Sequence, residues 1–289
     1  MSYTLFVDSG SNLPARKLQE LAIRVIPFTY EIDGVVSQCP EYPDGFDGHR
    51  YYTRLREGAH VKTSLINSDT FYQTFLPEVQ SGKDVMYVGI SSGISGTIQA
   101  ARIAAQSLME EYPERTVRIV DSMGAGLGTG ILACKAADYR NDGLSADQAA
   151  IKLDYDRDNL CEYFTVDDLM FLKRGGRVSG ISAAIGTMLQ IKPMLRGDEE
   201  GKIVVCGKIR GRKRAIAELS AIYAKKVIGA GSQRVAISHG DCLEEAQMLA
   251  EKISDIAKPK ELILSIHEPL TGAHVGPGML AVFFFGNGR

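Results

Sequence analysis

The chain contains no tryptophan, only five cysteines and ten prolines among its 289 residues, and no long hydrophobic run. Each shortage closes a class of protein. The longest apolar stretch, Met279 to Phe285, falls far short of the roughly 20 residues that a bilayer-spanning helix needs, so no transmembrane segment is expected. Cys39, Cys134, Cys161, Cys206 and Cys242 are odd in number and scattered without a Cys-x-x-Cys pair, which argues against a disulfide framework or a structural zinc site. The opening Met-Ser-Tyr-Thr-Leu-Phe-Val-Asp has no basic segment and meets Asp8 before an apolar one can form, so the expected location is a reducing cytoplasm. Neither sign of charge dominates: 33 basic against 35 acidic residues give a formal charge of -2, and any attraction to polyanions must be local. With 45% hydrophobic and 24% charged residues the composition is that of an ordinary globular protein, not a disordered one.

Catalytic signatures are also scarce. No G-x-x-x-x-G-K-[ST] segment exists, which closes the P-loop reading, and His49, His60, His239, His267 and His274 show no metal-ligand spacing, so neither metal nor cofactor is expected. Gly124-Ala125-Gly126-Leu127-Gly128-Thr129-Gly130 approaches a dinucleotide fingerprint, but Thr129 stands where the third glycine belongs. Close packing of a helix start on a sheet explains it better. One enzymatic pattern remains: Gly89-Ile90-Ser91-Ser92-Gly93 matches G-x-S-x-G between strand and helix, the alternative of a serine hydrolase with Ser91 as nucleophile. Its base would have to be His239 or His274, with no identifiable acid and no preceding oxyanion motif.

What is present is a series of strand-turn-helix units: Tyr3–Val7 before Asp8-Ser9-Gly10, Val85–Ile90 before Ser91–Thr97, and Val117–Val120 before Asp121-Ser122. Three in the first 140 residues predict a parallel α/β sheet. Ser11 or Asn12 is placed to cap a helix over Pro14–Ile23, and helical patterns follow over Ile98–Leu108, Ile131–Tyr139 and 144–157. Beyond them, strands are expected at Phe164–Val166, Ile203–Cys206, Arg234–Ser238, Leu262–Ile266 and Met279–Phe285, with helices near 179–190, 212–228 and 243–257. Length and this change of pattern predict two domains, 1–150 and 151–289. Residues 38–50, rich in Pro, Gly and Asp, read as a long surface loop able to cover a site.

Ligands of open α/β sheets sit beyond the carboxyl ends of the strands, where Ser91–Thr97 lies with its hydroxyls and glycines, a loop suited to a phosphate or a carboxylate. His274, in Thr271-Gly272-Ala273-His274-Val275-Gly276-Pro277-Gly278, reads as a turn histidine able to donate to an anion. Lys173, Arg174, Arg177 and the group Lys202, Lys208, Arg210, Arg212, Lys213, Arg214 gather positive charge as a solvated face or a docking patch.

Taken in order, Asp8-Ser9, Lys62-Thr63-Ser64, Ile90–Thr97, Val120-Asp121-Ser122, Phe171–Arg177, Ile191-Lys192-Pro193 and Ala273–Gly278 resemble the DegV family of bacterial fatty-acid-binding proteins, lipid-carrying subunits of fatty acid kinase, across the whole chain. The resemblance implies a two-domain α/β fold, an N-terminal parallel α/β domain and a C-terminal mixed one, that buries one long-chain fatty acid of the palmitate or oleate type between them. It implies no catalytic residues, with the bound acid presented to a separate kinase. By resemblance, Thr63 and Ser95 are hydroxyl donors to the carboxylate, His274 closes over it and Ser64 lies near. Ser92, Gly96 and Thr97 are secondary candidates in the same loop; Arg174, Arg177 and Arg212 are candidates for docking the kinase. A departure from the family pattern is the proline that many relatives carry two residues after the Thr63-Ser64 pair, where this chain has Ile66; Asn67 is placed to cap a helix over Asp69–Phe75. Affinity should come from the tail, since about fifteen carbons at roughly 0.8 kcal/mol each total on the order of 12 kcal/mol before ordering costs. Ala183–Leu189 is a candidate wall for that tail, and a monomer is expected.

Overall fold

The computed structural model describes residues 3–178 and 191–289; the expected helix at 179–190 and the Ala183–Leu189 wall lie outside them. A four-stranded sheet of order β2-β1-β6-β7 unites Ile23–Ile26, Tyr3–Asp8, Asp84–Gly89 and Val117–Asp121, all parallel. β1 and β6 read as continuous apolar runs because both faces of a parallel sheet are covered by helices. The helix after β6, α4 (Thr97–Glu111), packs against α3 (Ser68–Gln80) on one side. Asn67 does cap α3, its side chain accepting from the Thr70 N–H at 2.8 Å.

The second sheet has six strands in the order β10-β9-β8-β13-β11-β12, from Ile203–Arg210, Ile191–Gly197, Leu160–Thr165, Leu280–Phe285, Arg234–His239 and Glu261–Ile266. Only β11 and β12 run parallel. Helices α8 (Arg212–Lys226) and α9 (Leu243–Ile256) cover one face. The other face meets the first sheet through α5 (Leu127–Asn141), buried from Leu127 to Cys134 and again at Ala136 and Ala137, as a helix packed on both sides must be. The core therefore runs without a break from Leu5 and Val7 to Ala281 and Phe283. All strands of the parallel sheet lie within residues 3–121 and all those of the mixed sheet within 160–285.

A third, antiparallel sheet of order β4-β3-β5 comprises Val35–Gln38, Thr29–Ile32 and Val61–Ser64. None of its strands, nor β2 or β9, was legible. Each of β2 to β5 is four residues long with too few apolar positions to set a period, and Pro193 inside β9 argues against a strand. Pro193 is tolerated because β8 pairs only with Met194–Arg196.

Two local expectations need correction. Helix α1 covers only Ala15–Glu20, and neither Ser11 nor Asn12 caps it. Asn12 instead donates to the Ile266 carbonyl and accepts from the Glu268 N–H, both at 3.0 Å, tying the first strand's turn to the second half of the chain. The expected loop at 38–50 is shorter, covering 39–47 with a 3₁₀ turn at Pro43–Gly45: β4 ends at Gln38, and α2 (Gly48–Arg56) begins so close to β12 that a Cβ on Gly48 would lie 2.1 Å from Ile266 Cδ1.

Candidate functional site

Between the two larger sheets lies a cavity of about 460 Å³, within the range of small-molecule sites. One end is polar. β5 carries Thr63 and Ser64 to it, and the loop before α4 brings Ser92, Ser95 and Gly96. From the second half comes His274, and here the turn reading is corrected: His274 sits in the last turn of a helix, α10 (Pro269–Val275). Pro269 at its first position and Glu268, whose side chain accepts from the Leu270 and Thr271 N–H groups, are the start signals that the neighbouring glycines obscured.

His274 Nε2 lies 3.0 Å from Thr63 Oγ1. Burial, with the Arg177 guanidinium nearby as a lesser cause, holds the imidazole down to about 4, so it is neutral at physiological pH. With its proton on Nε2, the ring donates to Thr63 Oγ1 and leaves the threonine proton free for an acceptor in the cavity. Ser95 Oγ, 2.9 Å from Thr97 Oγ1, faces the same space at the amino end of α4, where unpaired N–H groups and the helix dipole favour an anion. Thr97 itself is fully buried and supports Ser95 rather than lining the cavity.

The imidazole has little room. A Cβ on Gly175, the last residue of α7 (Met170–Gly175), would fall 2.4 Å from Nδ1. Gly175→Ala is therefore expected to push the ring off Thr63 and weaken ligand binding by roughly tenfold, the worth of one hydrogen bond, which a displacement titration would read.

Of the basic candidates, Arg177 lines the cavity, its Nε donating to the Ile94 carbonyl at 3.4 Å. Arg174 stacks on Phe171 and lines a second cavity of about 650 Å³, which His274 also borders. Arg212 lies elsewhere, mostly buried, its guanidinium 2.6 Å from Glu245.

The remaining walls are apolar, notably Phe28, Phe164, Met279, Ala281 and Phe283. Three polar residues that sequence reasoning missed, Glu162, His267 and Thr271, also line them, together with Met123–Ala125. His267 and Thr271, one helical turn apart, form a closed chain in which His267 Nδ1 meets Ser238 Oγ at 3.1 Å, Nε2 meets Thr271 Oγ1 at 2.6 Å, and Thr271 donates to Glu268. Burial lowers His267 to about 3 and raises Glu268 to about 7. Between pH 6.5 and 3 the unfolded chain protonates at this histidine and the native one does not, so native stability is lost at about 1.4 kcal/mol per unit as pH falls. Glu268 slopes the other way, its contribution being lost as pH rises toward 7. His267→Asn is expected to be less stable than wild type at pH 7 yet to close that gap at about 1.4 kcal/mol per unit below pH 6.5, checked by urea unfolding over a pH series.

The nucleophile-elbow reading is not supported. Ser91 is fully buried, donates to the Gly201 carbonyl at 2.8 Å and accepts from the Gly93 N–H at 3.0 Å, and it does not line the cavity. The two proposed bases are engaged elsewhere, His239 with the Cys242 N–H and His274 with Thr63. Among the described residues, no group of His, Cys, Asp and Glu is arranged to hold a metal ion, and no helix is long and apolar enough to cross a membrane.

A DegV domain-containing protein of Clostridium perfringens is 37% identical over 289 residues, 99% of this chain and 98% of the relative. A solved structure of a DegV family protein from Thermus thermophilus, described by its fatty acid binding, matches with a TM-score of 0.87 at 29% identity, over 99% of this chain and all of that one. DegV of Bacillus subtilis, described as a fatty acid binding protein, matches with a TM-score of 0.83 at 27% identity, again over 99% of this chain and 100% of that one. The DegV family model itself extends over residues 2–287, and the chain belongs to that family.

Proposed function

We propose that this protein binds one long-chain fatty acid, its carboxylate held by Thr63 and Ser95 with His274 closing over it and Ser64 at the rim, its tail lying along Phe164, Ala281 and Phe283. The observation that carries this reading is the single cavity that joins a hydroxyl-and-imidazole end to apolar walls. A carboxylate there gains charge-assisted hydrogen bonds of roughly 1.5 to 3 kcal/mol each, which fix position, while the buried tail supplies most of the affinity. Residues 1–150 then serve as the domain of carboxylate-binding loops, and 151–289 as the domain of the acyl walls and His274.

The protein acts on this reading as a monomeric, non-catalytic carrier in the cytoplasm that offers its acid to a separate kinase. Arg174, in the second cavity that His274 borders, and Arg177 are the docking candidates that this geometry favours; Arg212 contributes less, its charge being met by Glu245. Lipid extraction and native mass spectrometry of the purified protein test the binding: an acyl chain recovered at one per protein, or taken up on adding palmitate, is expected. Folded protein that neither carries nor takes up an acid would refute it.

A further inference from the structure

Strand alternation aims Ala281 and Phe283 of β13, with Met279 just before it, and Phe164 and Glu162 of β8 into the cavity, with Glu162 directly opposite Phe283. Met279 follows the helix that bears His274, and Glu162, opposite Phe283, lies about four residues, roughly 13 Å, farther along the strand. A carboxyl group on a greasy wall is costly unless it is paired. Here Oε1 accepts from the Ala125 N–H at 3.0 Å and Oε2 faces Arg289 Nη2 at 3.3 Å, two partners for a group with about four acceptor positions.

The backbone around it is cleared to make room. A Cβ on Gly128 would sit 1.8 Å from Oε1, one on Gly124 2.4 Å from Oε1, and one on Gly197 3.0 Å from Oε2. Two of these belong to the glycine run that fails as a dinucleotide fingerprint, and the niche explains why glycine recurs there. A leucine there would leave the Arg289 guanidinium, itself 4% exposed, without its carboxylate; the glycine niche therefore holds a carboxyl that balances this cation on one side and keeps acceptor positions toward an otherwise apolar cavity on the other.

We propose that Glu162 recognises a hydrogen-bonding substituent on the distal part of the acyl chain, making hydroxylated long-chain acids the preferred ligand class. The inference rests on the fatty-acid reading above and narrows it. Burial holds the Glu162 carboxyl up at about 7, so near neutrality it both donates and accepts.

The test is a displacement titration of delipidated protein with stearic acid and a positional series of monohydroxylated stearic acids. At least one isomer with a distal hydroxyl should bind about tenfold more tightly than stearic acid, and an isomer hydroxylated beside the carboxylate should not. Glu162→Leu should abolish that preference, stearic acid and the hydroxylated isomers then binding alike whatever the cost of stranding Arg289; Glu162→Gln, which keeps shape and an acceptor, should retain it. Stearic acid binding as tightly as every isomer, or a preference that survives Glu162→Leu, would overturn the inference and leave the fatty-acid reading standing. Binding of none of the acids would overturn both. The wild-type series decides the question even if Glu162→Leu does not fold.

Discussion

Ala281→Phe should reduce affinity for palmitate by about 100-fold or more without unfolding the protein. Ala281 is 2% exposed and stands midway along the inward face of β13, between Met279 and Phe283, with the cavity directly over its methyl group. A phenyl ring projecting there denies the tail the space beyond it. Losing contact for about four methylenes at roughly 0.8 kcal/mol each amounts to about 3 kcal/mol, hence the factor of 100 or more. The ring enters space that is already empty, so the overpacking cost that usually accompanies small-to-large core changes should be small, under about 1 kcal/mol. Displacement titration and thermal melting together read both effects; undiminished palmitate binding would mean that the tail runs elsewhere.

Thr63→Val tests the other end of the ligand. Valine has the shape of threonine without its hydroxyl, so the substitution removes one donor to the carboxylate and strips the buried His274 Nε2 of its 3.0 Å partner. The expected loss is about 1.5 to 3 kcal/mol, a 10- to 150-fold rise in Kd for the free acid. The methyl ester of the same acid, which offers no carboxylate, should bind wild type and Thr63→Val nearly equally. Ser95→Ala should act in the same direction, and the double variant should lose less than the sum of the two, because both donors serve one charge.

The parallel sheet was readable because β1, β6 and β7 each end in a turn rich in Asp, Ser and Gly and each is followed by a helical period, a signal that local sequence carries unaided. Strand β5 carries Thr63 yet holds a single apolar residue, Val61; its conformation comes from pairing with β3 and from α10 packed against it, contacts that depend on the finished fold. The hydroxyl residues were thus legible as a motif while the element presenting them was not. His274 lines the cavity from the last turn of a helix, where the sequence reads as a turn, since Gly272, Gly276 and Pro277 outweigh the Glu268-Pro269 helix start. Glu162 was the most recoverable omission. A charged residue inside the run Leu160–Thr165, buried along its whole length, is anomalous by alternation alone, though its glycine niche is assembled from two segments far apart in sequence.

The most direct test of the account is a crystal structure of the protein with palmitate bound. The carboxylate should lie within 2.6 to 3.2 Å, the ordinary hydrogen-bond range, of Thr63 Oγ1 and Ser95 Oγ, with the alkyl chain extending past Ala281 toward Phe283. A carboxylate lodged beside Glu162 and Ala125 instead, or an acyl chain outside this cavity, would contradict it.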